Sequence, residues 1–335
     1  MTRIFTEGFE MQDSVFWSDP GQSSITLTGA RSGVACCSRI YSNTNLPYKN
    51  IPDLSEFYVR FGFTVTNPAG YKIIIFSHSP TGKLCSINIS STDVKIILYN
   101  DLGTPTEVAS GNTTIDNDTW YLMEVYVKIA DSGGVVTVKI DDTQIATFSG
   151  DTLTAGYTHV DYLSFLDYIT GAIDDLALND TNGSVDNSWC GDGKIIMLSP
   201  NGNGDLSQLA GSDGDSTNNY LLVDEFPKDD DTTYVEGSTV DQKDLYNLTP
   251  CSLTGSAVIR RVYAEARVKW TVSDTEQVAL TIKTHSTEYD GPDISPVNAY
   301  NVKVLGTDYP LNPNTSAAWT VTELDALQVG PKTRN

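Results

Sequence analysis

A chain of 335 residues is long enough for two compact cores, at a prior of roughly 100–200 residues per domain. Its 21 Lys and Arg against 43 Asp and Glu give a formal net charge of −22, which repels phosphate backbones and anionic lipid surfaces and excludes nucleic acid and membrane as expected partners. With 39% hydrophobic and 10% aromatic residues the composition is that of a folded protein, too apolar for a disordered acidic tail.

The first ten residues carry one Arg followed by acids and no apolar run of signal-peptide character, so synthesis in the cytoplasm without secretion is expected. The longest apolar stretches, such as Ile73-Ile74-Ile75-Phe76, fall far short of the ~20 residues that cross a bilayer. From Glu7 to Asn179, short runs rich in Val, Ile, Thr, Tyr and Phe are separated by Gly, Asn, Asp and Ser turns, which is the mark of antiparallel sheets. Residues 57–65 alternate partly, 71–77 read as a strand buried on both faces, and 94–99, 120–129, 135–140 and 144–148 continue the series. Asp141-Asp142-Thr143 closes a tight hairpin between the last two.

A polar run at 180–188 suits a linker, which sets the expected domains at 1–182 and 183–335. Beyond it a short apolar strand is expected at 194–198, then a long acidic region rich in Gly, Asn and Ser at 199–244. The cleanest alternation lies at 257–271, where Val258, Arg260, Val262, Ala264, Ala266, Val268 and Trp270 share one largely apolar parity, and 277–284 is expected to pair with it. Thr320-Val-Thr-Glu323 has capping-box spacing before Leu324 and Leu327, predicting a helix of one or two turns. The fold class is therefore all-β: two jelly-roll-like β-sandwiches, the second with long loops and a short C-terminal helix.

Residue chemistry points away from catalysis. His78, His159 and His285 are far apart in sequence and read as packing or surface residues, no Gly-x-Ser-x-Gly frames a serine, and no strand carries the spaced acids that glycoside hydrolysis would need. No catalytic residue is assigned, and the chain is expected not to be an enzyme. Five cysteines (Cys36, Cys37, Cys85, Cys190 and Cys251) form no C-x-x-C and are read as reduced structural thiols, the competing reading being that Cys190 or Cys251 cross-links neighbouring copies. In the segment 211–220, Asp213, Asp215 and Asn219 place side-chain oxygens at intervals that can wrap calcium, although Asn218 and Asp224 stand where an EF-hand needs Gly and Glu, so a plain Asp/Gly turn competes. Of the five tryptophans, Trp120 and Trp270 fall within strand patterns and read as core, Trp17 carries no strong signal, and Trp189 and Trp319 flank loops and are the candidate carbohydrate contacts.

Two stretches resemble known families. Asp118-Thr-Trp120-Tyr-Leu-Met-Glu-Val, Val135-Val-Thr-Val-Lys-Ile140 and Tyr168-Ile-Thr-Gly-Ala-Ile-Asp-Asp-Leu-Ala-Leu178 resemble the laminin-G-like, concanavalin-A-like jelly roll over residues 1 to about 180. Asp186-Asn-Ser-Trp-Cys-Gly-Asp-Gly-Lys-Ile, the run from Gly211 to Glu225 and the run from Asn312 to Gly330 are similar to segments of virion structural proteins of tailed bacteriophages. That resemblance implies a component of the particle exterior, in the tail, tail fibre or head decoration, with copies of itself and other virion proteins as partners. It supplies no catalytic residues. A single charge sign on a many-copy surface fits such a role, since it discourages aggregation. The reading of a different class is a carbohydrate-binding module that recognises host surface glycans.

Overall fold

Alternating β-branched and aromatic residues with few helix-compatible stretches leave strands as the form that buries this sequence. The computed structural model describes residues 3–11, 24–39, 46–167, 170–254, 256–271, 276–304 and 308–334. The chain forms two units, Met1–Ile196 and Met197–Asn335. Both are built of antiparallel sheets, so the all-β class read from the sequence is observed.

The first unit contains β1 (Arg3–Glu7), β2 (Ser24–Thr26), β3 (Cys36–Arg39), β4 (Tyr48–Leu54), β5 (Glu56–Thr66), β6 (Ala69–His78) and β7 (Gly82–Ser90). There follow β8 (Asp93–Tyr99), β9 (Pro105–Asn112), β10 (Tyr121–Lys128), β11 (Gly134–Ile140), β12 (Thr143–Gly150), β13 (Val160–Asp167) and β14 (Thr170–Asp180). One sheet has the order β12-β11-β10-β5-β14-β3-β2, with β1 also paired to β14; the other runs β4-β13-β6-β7-β8-β9. The core between them is aromatic: Phe61 of β5 meets Phe165 of β13 edge-on at 5.3 Å, and Phe57 meets Phe76 of β6 at 5.6 Å. Such pairs add about 0.5–1.5 kcal/mol each beyond the area they bury. Residues 73–76 are buried on both parities, as their apolar run implies. Asp141 and Asp142 both take positive φ, 48° and 63°, the geometry of the tight hairpin turn expected there.

The two compact units divide at 196/197, against the 182/183 read from the sequence. Residues 183–196 look like a linker by composition but are tied to the first sandwich through backbone hydrogen bonds. Gly191 N–H donates to Glu124 Oε1 (2.8 Å), Ile195 N–H to Asp175 Oδ1 (2.7 Å), and Arg31 donates to Gly193 O (3.0 Å). Residues 194–198 form no strand, and Lys194 and Ile196 are exposed.

The second unit contains β15 (Pro200–Ser207), β16 (Ala210–Gly211), β17 (Val235–Glu236), β18 (Asp244–Leu248), β19 (Glu265–Val268), β20 (Gln277–Thr284), β21 (Thr287–Asp290), β22 (Asn301–Val304), the helix α1 (Val321–Asp325) and β23 (Gln328–Arg334). A five-stranded sheet, β15-β18-β23-β20-β21, is joined by the two-stranded pairs β16-β17 and β19-β22. The capping box is present: Glu323 N–H donates to Thr320 Oγ1 at 3.2 Å and Thr320 N–H to Glu323 Oε2 at 2.8 Å.

Two strand expectations fail. The alternation at 257–271 yields only the four residues of β19, because Ile259 bridges Trp319 and Val262 bridges Tyr309 singly, leaving Val258 77% exposed and Ile259 buried. The partners of β20 are β21 and β23, so 277–284 does not pair with 257–271. The Asn/Gly-rich start of the 199–244 region, read as loop, is the strand β15, whose backbone pairs with β18 despite a sequence of low strand preference. Among the described residues no helix is long and apolar enough to cross a membrane.

Removing the Phe61 ring deletes one of the aromatic contacts between the two sheets of the first unit and leaves a large cavity, so Phe61→Ala is expected to cost about 3–5 kcal/mol in urea denaturation. A loss below about 1 kcal/mol would mean that the sheets do not depend on this contact.

Candidate functional site

The pairing of β4, β13 and β6 places alternate residues of three neighbouring strands on one outer face. Ser164 lies opposite both Tyr48 and Ile75, and Tyr162 opposite Asn50 and Ser77. There Tyr48 and Tyr162 stack with centroids 4.4 Å apart and planes at 23°. Leu46, Ile75, Ser77, Pro80, Lys83 and Ser164 complete a cleft of about 240 Å³. Its lining joins a rigid aromatic pair to two hydroxyls and one ammonium, with no carboxylate, imidazole or thiol among the lining residues. That combination offers stacking and hydrogen bonding and no acid–base pair.

A second feature lies on the other sheet, where β1 and the residues after it meet β14. Glu7, Glu10, Asp174 and Asp175 are all buried. Glu7 Oε1 accepts from Phe9 N–H at 2.6 Å, Glu10 Oε2 from Val34 N–H at 2.8 Å, and Asp174 Oδ2 from the N–H groups of Arg31 and Ser32. Arg31 pairs with Asp175 at 2.6 Å, yet Glu7 Oε2 and Glu10 Oε1 have no hydrogen-bond partner. The Glu10 carboxylate lies directly against the α-carbon of Gly33, where φ is +61° and any β-carbon would collide with it. Burial pushes the Glu7 carboxyl up to about 7 and those of Glu10 and Asp174 up to about 8 and 7, with the neighbouring acids adding to the rise.

The residues singled out from sequence take several places. Asp213 and Asp215 are exposed and hold their own turn: Asp213 Oδ1 accepts from Asp215 N–H at 3.3 Å and Asp215 Oδ1 from Thr217 N–H at 2.6 Å. Asn219 is fully buried, its amide donating to Leu209 O (3.0 Å) and Asp244 Oδ2 (2.6 Å). Asp213 Oδ1 and Asn219 Oδ1 both flank the α-carbon of Gly211, while the Asp215 carboxylate is engaged at Thr217. Trp189 is half-buried against Tyr58 and Tyr126, with Lys139 Nζ 3.8 Å above its ring. Trp319 is buried in the second core and donates from Nε1 to Tyr309 O, so it offers no free face to a sugar. Trp17 lies outside the described residues. All five cysteines are buried and free within the chain.

Sequence reading missed Tyr48, Tyr162, Glu7 and Glu10. Each stands in an unremarkable local context, and only strand pairing over more than a hundred residues brings the members of each group together.

The first unit is thus a two-sheet antiparallel sandwich of jelly-roll type carrying an aromatic surface cleft and a buried carboxylate group. No protein-family model and no curated protein matches the chain. Solved structures similar to it include the cellulose-induced protein Cip1, at 17% identity with a TM-score of 0.43, covering 56% of this chain and 100% of that one. A carbohydrate esterase from Shiga toxin-encoding bacteriophage phi24B is similar at 12% identity and TM-score 0.39, covering 53% of this chain and 97% of that one. The receptor-binding domain of botulinum neurotoxin C/D mosaic serotype is similar at 10% identity and TM-score 0.38, over 53% of this chain and 47% of that one. At such identities the likeness extends to the fold alone.

The raised carboxyls set a pH dependence. A carboxyl whose folded pKa exceeds its unfolded value binds more protons in the native state, so stability is fully present below the unfolded range near 4–4.5 and falls as pH rises through about 7–8. In chelator-treated buffer the first unit is expected to melt at a higher temperature at about pH 5.5 than at about pH 8.5, and Glu10→Gln to flatten that slope. A melting temperature that rises over the same interval in the parent protein would refute the assignment.

Proposed function

We propose that this chain is a non-enzymatic recognition protein whose first sandwich binds glycans in the cleft of Tyr48 and Tyr162. The single observation that carries the reading is the stacked tyrosine pair on an outer sheet face, beside Ser77, Ser164 and Lys83. The apolar face of a sugar ring packs on an aromatic side chain, while hydroxyls and an ammonium satisfy its oxygens. The lining holds no carboxylate, which supports binding without turnover. Trp189, covered by Lys139, and the buried Trp319 are poorer contacts than the two tyrosines.

Within that reading, the similarity of the second-half segments to phage virion proteins supports a role on the exterior of a tailed phage particle, in the tail, tail fibre or decoration layer. There, copies of the chain and other virion proteins would be its neighbours and host surface glycans its target. Calcium is the cofactor the reading implies. Asp213, Asp215 and Asn219 are the residues the sequence reading offers for it, and the unpartnered Asn219 Oδ1, beside Asp213 Oδ1 at Gly211, supports that placement.

Binding of the purified protein to a glycan array, with and without calcium, tests the recognition role. Tyr48→Ala is expected to weaken any glycan found by about tenfold or more while leaving the circular dichroism spectrum unchanged, since Tyr48 is only half-buried. Absence of binding under both conditions would overturn the glycan reading, and absence of the chain from purified particles by mass spectrometry would overturn the virion reading.

A further inference from the structure

The same strands that build the cleft bring together three residues the sequence keeps apart. Because Tyr162 of β13 faces Ser77 of β6, the preceding Asp161 comes beside His78 at the end of β6. His159, just before β13, reaches the same place. One ring nitrogen from each histidine and one carboxylate oxygen of Asp161 lie within 4.8 Å of one another.

The surroundings hold these groups in position. His78 stacks on Tyr157 with ring centroids 4.7 Å apart, and His159 meets it edge-on at 4.6 Å. Asp161 Oδ1 accepts from Ser79 N–H at 2.7 Å, which fixes the carboxylate and leaves Oδ2 facing His78 Nδ1 at 3.5 Å. That His78 nitrogen is buried and makes no hydrogen bond. Asp53 Oδ1 stands 3.6 Å from His159 Nε2 and offers a further oxygen on the solvent side. The side chains of His78, Asp161 and His159 are 34%, 27% and 26% exposed, open enough for an ion to enter.

From this geometry we propose a binding site for a divalent transition-metal ion of the zinc class, held by His78, His159 and Asp161. Imidazole nitrogen selects zinc, nickel, copper or iron over calcium and magnesium, which prefer oxygen. A tetrahedral ion with bonds of about 2.0–2.1 Å needs donors roughly 3.4 Å apart, so side-chain rotation of about an ångström closes the set. Three protein ligands leave a fourth position for Asp53 or water. The site lies at the strand ends and serves to pin the loop that carries Tyr157 and His159 to the sheet. It is independent of the carboxylates of Glu7 and Glu10 and of glycan binding.

The test uses the full chain stripped with chelator, then titrated calorimetrically with zinc chloride in excess calcium, which occupies oxygen-only sites. The expected result is one zinc per chain that calcium does not displace, with His159→Gln and Asp161→Asn each weakening it by about tenfold or more. X-ray absorption of the zinc-loaded parent protein is expected to report two imidazoles and no sulfur, a readout that stands even where a variant fails to fold. Zinc uptake abolished by calcium, equal affinity in the folded variants, or sulfur ligation from the cysteines would each overturn the assignment.

Discussion

The register of β13 between β4 and β6 is the constraint on which the rest of the first unit depends. Tyr162 and Ser164 turn to the outer cleft, and Phe165 turns inward to meet Phe61. Asp161 falls beside His78. Side chains alternate strictly along a strand, so a slip of one residue would drive Tyr162 toward the core and expose the aromatic contact between the sheets. The burial of Phe61, Phe76 and Phe165 opposes that slip, and in doing so fixes surface groups that contribute little to stability themselves.

The two units handle their acidic residues differently. In the first, Glu7, Glu10 and Asp174 are buried and burial raises their carboxyl pKa values, while the buried Asp175 pairs with Arg31. In the second, Asp241, Asp290 and Asp293 lie beside basic residues of β23, while Asp244 is buried and held by hydrogen bonds. Asp290 feels burial that would raise it, but hydrogen bonds from Lys332, Thr281 and Arg334 outweigh this and bring it to about 2. Asp241 and Asp293 share the same arginine. Raised carboxyl pKa values at Glu7, Glu10 and Asp174 and ion pairing along β23 are two ways in which local repulsion between acids is lowered.

Much of the architecture was legible because local signals agreed with the tertiary outcome. The two-aspartate hairpin, the doubly buried run at 73–76 and the Thr320 capping box each depend on residues a few positions apart. Where the reading failed, distant partners decided. The parity at 257–271 was overridden by the single bridges of Ile259 to Trp319 and Val262 to Tyr309, and β15 exists because β18 supplies a ladder that Asn and Gly would not seek alone. The same holds for function: Trp189 and Trp319 were chosen for their loop positions, whereas the stacked aromatic pair of the cleft is made by two tyrosines of β4 and β13 with nothing nearby in sequence to mark them.

The pairing of β1 with β14 has a bearing on how the first unit comes into being. Arg3 registers against Asn179 and Glu7 against Leu176, so the earliest strand to leave the ribosome waits for the last before it finds its place. Closing so long a loop is entropically costly and intrinsically slow. Nascent chains must therefore hold most of the sandwich with its opening strand undocked, and completion of the fold coincides with emergence of the segment near residue 180.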